Sequence, residues 1–138
     1  MAKGQPISVR LSREAELLVD DERRRSGRSR SAVIEELAEE AAKTRRFPGI
    51  AFRGPDPRRA WVIGTGLDVW ELVELTRSYE DVPALLRDLP LLSETALRLA
   101  SAYAERFPEE VEAAILENRV TRDQLSDLYP FIELAGRR

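Results

Sequence analysis

Residues 6–11, Pro6-Ile7-Ser8-Val9-Arg10-Leu11, alternate apolar and polar side chains with a period of two, a pattern that predicts a short strand with two chemically different faces. Ile7, Val9 and Leu11 fall on one face, Ser8 and Arg10 on the other. A lone strand of this kind leaves its hydrogen-bonding edges and its apolar face uncovered, so it requires a partner. The expected partner is a second copy of the chain. Two copies paired antiparallel would give a ribbon narrow enough for the major groove of DNA, with Ser8 and Arg10 turned toward base edges. The same residues could also form an ordinary edge strand, but a cation flanked by Val9 and Leu11 with a face to itself favours the nucleic-acid reading for Arg10.

Helix signals follow at fixed offsets. Ser12 is placed to cap a helix over about Arg13 to Ser26, and Gly27 supplies its stop. Ser29 is placed to cap a second helix over about Arg30 to Thr44, whose apolar face holds Ala32, Val33, Leu37, Ala38, Ala41 and Ala42. Alanines on that face permit close helix contact across a dimer, and the expected dimer core is Ile7, Val9, Leu11, Val33 and Leu37. Gly27-Arg28-Ser29-Arg30-Ser31 gathers backbone amides, hydroxyls and guanidinium groups at one helix start, which suits a DNA phosphate. The run Arg23-Arg24-Arg25 reads instead as a solvated helix face, because Asp20, Asp21 and Glu22 adjoin it and largely cancel its field.

The succession Ile7-Ser8-Val9-Arg10-Leu11-Ser12, a helix ending at Gly27, then Ser29-Arg30-Ser31-Ala32 resembles the ribbon-helix-helix family of bacterial repressors and antitoxins. The resemblance covers about the first third of the chain and implies a dimer. It assigns base contact to Ser8 and Arg10, and contact with the DNA backbone to Ser29, Arg30 and Ser31.

Charge is distributed in keeping with this. The net charge is −3, yet residues 1–34 carry eight basic against five acidic side chains, so the head is +3 and the remainder −6. The 43% hydrophobic and 34% charged content describes a helix-rich globular chain rather than a disordered one. Its 138 residues suffice for one ordinary domain or two very small ones. No cysteine and no histidine is present, which excludes disulfides, thiolate metal sites and the commonest general base and zinc ligand. No cofactor is expected. No apolar run approaches a membrane span and the start of the chain lacks the apolar stretch of a signal peptide, so a cytoplasmic protein without membrane contact is expected.

A boundary is expected at Thr44-Arg45-Arg46-Phe47-Pro48-Gly49, where helical periodicity stops, giving a head domain over 1–46. Beyond it, Ile50–Arg53 and Arg59–Ile63 read as a β-hairpin joined by Gly54-Pro55-Asp56-Pro57-Arg58. Helices are expected from Val69 to Ser78 with a capping box of Asp68 and Glu71, from Asp81 to about Asp88, from the Ser93 cap to about Phe107, and from Pro108 to about Asn118. Residues 47–119 thus read as a hairpin plus helical bundle in a mainly α protein. Trp61, Trp70, Tyr79 and Tyr103 read as its core aromatics.

Within this region Gly64-Thr65-Gly66-Leu67-Asp68-Val69-Trp70, Leu86, Asp88-Leu89-Pro90-Leu91-Leu92-Ser93, Leu97 and Ala102-Tyr103-Ala104 resemble a domain of unknown function found in bacterial antitoxins, one with a helix-turn-helix core. Here Gly66 and Asp68 stand where members of that family usually have Arg and Pro. Together with the head, the chain resembles VapB-type antitoxins, which implies a PIN-like ribonuclease toxin as protein partner and a homodimer or higher even-numbered oligomer. The would-be recognition helix exposes Glu94, Thr95, Arg98, Ser101 and Glu105, and two carboxylates facing phosphates oppose binding, so this bundle is expected to be a scaffold or a protein-contact module.

A last segment, 120–138, is expected to begin with a capping box of Thr121 and Gln124 and to be broken at Pro130; it is either the lid of its own bundle or the toxin contact, through Leu125, Leu128, Tyr129, Phe131, Ile132, Arg137 and Arg138. The two arginines could pair with the carboxylates of a nuclease metal site. Enzyme readings are weaker. Gly64-Thr65-Gly66 lacks the Gly-Lys-Ser/Thr ending of a phosphate loop and reads as a turn. Glu35 with Glu39 and Glu36 with Glu40 read as a solvated face without a converging ligand. The expected function is that of an antitoxin that binds operator DNA and represses its own genes. A dimeric regulator without a toxin, whose C-terminal domain oligomerises or senses a ligand, is the alternative.

Overall fold

A computed structural model describes residues 3–128 and Pro130. Among the described residues the protein is mainly helical, with six helices and one two-stranded antiparallel hairpin. It forms two compact units, residues 1–43 and 44–138.

The first unit holds α1 (Arg13–Ser26) and most of α2 (Arg30–Arg46). The Ser12 hydroxyl accepts from the Ala15 amide at 3.1 Å, and Gly27 ends α1 at φ 68°, a left-handed conformation that only glycine adopts cheaply. The second helix runs two residues past its expected end at Thr44. Residues 3–12 form no strand, because strand pairing needs a second edge and one copy of the chain offers none there. Consequently the expected core is only partly a core within one chain. Val33 is buried, Leu11 half-buried, and Ile7, Val9 and Leu37 are exposed. Val19 and Val33 are the buried residues among those described in this unit.

Among its described residues the second unit has a core of fourteen buried residues, contributed by Phe47, the hairpin and the helices that follow. Strands β1 (Ile50–Arg53) and β2 (Arg59–Val62) pair in the register Ile50 with Val62 and Arg53 with Arg59. The second strand ends one residue early, leaving Ile63 exposed. Gly64 and Gly66 both take positive φ in the next turn, and the Thr65 hydroxyl donates to the Val62 carbonyl at 2.7 Å and accepts from the Leu67 amide at 3.0 Å. The glycines therefore serve a strand-to-helix turn, as expected.

Helices α3 (Val69–Ser78), α4 (Val82–Asp88) and α5 (Glu94–Arg106) fall where their caps place them. The Asp81 carboxylate and the Ser93 hydroxyl accept from Ala84 and Ala96 amides, and the Glu71 carboxylate accepts from the Asp68 amide at 3.0 Å. Tyr103 of α5 is the largest fully buried side chain. Phe47 and Phe107 meet its ring at centroid distances of 5.4 and 4.9 Å. Two expectations require correction. Trp61, Trp70 and Tyr79 are half-buried at the rim rather than inside, since the indole of Trp70 reaches the Asp68 carboxylate at 3.2 Å and Trp61 stacks under the Arg53 guanidinium at 4.7 Å. Helix α6 (Pro108–Leu128) is continuous through Asn118 and Thr121, so Thr121 is an exposed mid-helix residue and not a cap. No proline interrupts the stretch between Pro108 and Pro130, and a single Thr costs a helix well under 1 kcal/mol, about 0.7 at most.

None of the helices described is long and apolar enough to cross a membrane.

Candidate nucleic-acid interface

The head gathers the residues on which DNA contact was expected, and their surroundings differ. Arg10 is exposed and has no ion pair or hydrogen bond with another described residue. Ser8 is exposed beside it. Arg13, at the start of α1, is likewise exposed and unpaired among the described residues. Sequence reasoning passed over Arg13, although its position three residues after Arg10, at the start of a capped helix, was a usable signal.

At the start of α2 the Ser29 hydroxyl accepts from the Ala32 amide at 3.2 Å and the Ser29 carbonyl from the Val33 amide at 3.0 Å. Ser29 is thus committed to capping. The amides of Arg30 and Ser31 belong to the first turn, where no intrahelical acceptor exists. Ser31 is exposed, and Arg30 stands 3.5 Å from the Glu16 carboxylate with both groups half exposed to water. An exposed pair at that length contributes under about 1 kcal/mol, so Arg30 can exchange Glu16 for a phosphate at small cost.

Apart from Arg23, which is exposed and has no ion pair among the described residues, the other cations of the head are more closely paired. Arg24 pairs with Asp21 and Arg25 with Glu22, each at 2.5 Å, which matches the expected cancellation for two of the three arginines. Arg28 pairs with Glu36 at 2.5 Å in a partly buried setting. Lys3 holds both oxygens of Glu35, at 2.7 and 2.6 Å. The Lys3 hydrogen bond and charge, helped by Arg28, hold the Glu35 carboxyl below its ordinary range against a small opposing effect of burial. Lys43 reaches Glu39 at 2.9 Å. The acidic face of α2 is exposed or half-buried, as expected of a solvated face, and it also carries ion pairs. Its Lys3–Glu35 pair links the arm that carries Arg10 to α2.

In the second unit Glu94, Thr95, Arg98, Ser101 and Glu105 lie along α5 and all five are exposed, as expected, with Arg98 paired to Glu94 at 2.6 Å. Such a surface offers phosphates no unopposed cation. On α6, Leu125 and Leu128 are exposed at 43% and 70%. Two further apolar side chains on this helix, Leu116 and Val120, are exposed as well and were not singled out in the sequence. Tyr129, Phe131, Ile132, Arg137 and Arg138 lie outside the described residues.

No family model, curated protein or solved structure matches the chain.

Proposed function

We propose that the protein is a DNA-binding antitoxin: a ribbon-helix-helix dimer that represses its own genes through the head and neutralises a PIN-like ribonuclease through the second unit. The observation that carries the reading is the head's arm, where apolar Ile7 and Val9 are 83% and 67% exposed while Arg10 is left unpaired among the described residues. Below about 40 residues a unit ordinarily needs oligomerisation, a metal or disulfides to fold. This chain has no cysteine, and its head buries only Val19 and Val33 among the described residues. Pairing two arms covers the apolar face and leaves Ser8 and Arg10 outward, a two-stranded ribbon of the width the major groove accepts. Arg30 and Ser31, with Arg13, then hold the backbone. The α3–α5 bundle with its helix-turn-helix-like core acts as scaffold, and the exposed apolar side of α6 as toxin contact. The proposal includes no catalytic activity.

Binding to the DNA preceding the protein's own gene tests the first half. Arg10→Ala should cost about 1–3 kcal/mol there and relax sequence preference, while Arg30→Ala should weaken all sequences alike and reduce the salt slope by about one. Unchanged binding by Arg10→Ala at matched salt would sink the assignment. For the second half, Leu125→Asp combined with Leu128→Asp should abolish neutralisation of a ribonuclease encoded beside the gene and leave DNA binding intact. Full neutralisation by that variant would move the contact off the end of α6.

A further inference from the structure

One surface of the second unit is used by none of these activities. Between β2, the start of α3 and the first turns of α6 lies a groove of about 240 Å³, walled by Ala60, Val69, Trp70, Val111, Ala113 and Ala114 and lined also by Arg58, Arg59, Glu110 and Glu117. Glu110 accepts from the Tyr103 hydroxyl and Arg58 donates to the Phe52 carbonyl at 2.8 Å, so both are engaged within the fold. Three of the wall residues are alanines, and their short side chains are the reason space is left between elements that otherwise pack closely. The volume lies below the roughly 300–1,000 Å³ of sites for cofactors and drug-sized molecules, so it suits a single ring rather than a nucleotide.

The polar groups around it select further. The Trp70 indole N–H is already donated to Asp68, so what Trp70 presents to the groove is a ring without an unmet hydrogen bond. The Arg59 guanidinium lies 6.0 Å from the Trp70 ring centre and reaches Glu117 on α6 at 2.6 Å, joining the two walls. That contact uses one nitrogen of a planar fork built for bidentate carboxylates. Glu117 is more than half exposed, so water can take it over when a competitor arrives. A neutral apolar guest would leave the guanidinium unused. A cationic guest would meet it as a like charge.

We infer that this groove is a binding site for a small aromatic carboxylate, its ring laid against Trp70 and Ala114 and its carboxylate on Arg59 in place of Glu117. This goes beyond the proposed function and does not depend on DNA or toxin binding, because every residue it uses lies in the second unit.

The test uses the full chain with benzoate as probe and its neutral isostere benzamide as control, followed by the Trp70 indole N–H and the Ala60, Ala113 and Ala114 amide resonances. Benzoate should shift these saturably at millimolar concentration, with benzamide weaker by about tenfold or more, the usual worth of a charge-assisted hydrogen bond. Arg59→Gln should erase the difference between the two probes. Glu117→Gln should tighten benzoate by removing its rival, and Ala114→Leu should block both probes while leaving the amide spectrum dispersed. No saturable shift with benzoate, equal affinity for the two probes, or weaker binding in Glu117→Gln would overturn the proposal.

Discussion

The period-two arm makes opposite predictions for adjacent residues. Val9 is 67% exposed in one chain and falls on the proposed seam; Ser8 falls on the other face. Burying two-thirds of a valine stabilises by about 1–2 kcal/mol, and a two-fold seam counts it twice. Val9→Asp loses that contribution and brings two carboxylates into the seam, each desolvated at a cost of several kcal/mol and facing the other as a like charge. A total above about 4–5 kcal/mol raises the dissociation constant at least roughly a thousandfold, at 1.4 kcal/mol per factor of ten. Ser8→Asp carries the same charge but keeps it in water, so the pair should persist while DNA binding falls. Sedimentation velocity of the full chain over a dilution series gives the association state, and far-ultraviolet circular dichroism on the same samples gives helicity. Loss of both association and part of the helical signal in Val9→Asp, with neither lost in Ser8→Asp, is the expected result. Equal association of Val9→Asp and the parent, or a parent monomeric with its head amides fully protected from exchange, would refute the reasoning.

Other perturbations address the second unit and the arm. Gly49 has φ 104°, and a β-carbon there would stand 2.8 Å from the Leu99 Cδ2 atom, so Gly49→Ala should lower the stability of this unit by about 1–3 kcal/mol in chemical denaturation. Phe47 is buried against Tyr103 and Phe107, and Phe47→Ala should cost about 3–5 kcal/mol by the same measurement without touching residues of the first unit. Because Glu35 is held below the usual carboxylate range in the folded head, the tether to Lys3 should be complete above the ordinary glutamate value and be lost as pH falls through the depressed one. Carboxyl carbon shifts of Glu35 would show this titration moving back toward the ordinary value in Lys3→Ala.

How much was legible depends on where each signal resides. Helix starts at Ser12, Asp81 and Ser93, the stop at Gly27 and the turn at Gly64-Thr65-Gly66 depend on one side chain and the next few amides, and the chain obeyed them. Thr121 and Gln124 carried the same kind of signal and were overridden, because a capping box only offers an alternative and the uninterrupted backbone of α6 outweighs it. Residues Thr44–Gly49 read only as a boundary where helical periodicity stops, yet Phe47 among them is a core residue, held by rings some sixty residues onward that no local pattern reveals. Similarly, the Arg53 fork on Asp68 and the Arg59 contact with Glu117 join positions 15 and 58 residues apart. The alanines of the groove were equally silent, since an alanine in a helix says nothing of what it faces. As for the arm, its alternation was plain, but whether Ile7 and Val9 are covered is a property of two chains.

The two units divide the burial unequally, fourteen core residues in one and two buried valines among the described residues of the other. Where opening and closing are fast, proteolysis samples whichever part opens more often. In dilute protein, cleavage should therefore fall before residue 44 and spare the second unit. The surviving piece would keep the groove and the exposed side of α6 while losing Arg10, Arg13 and Arg30. On the proposed function, such a remnant would still occupy a protein partner but could no longer report that occupancy to DNA. Ageing protein would then uncouple neutralisation from repression, turning a two-ended link into a one-ended plug.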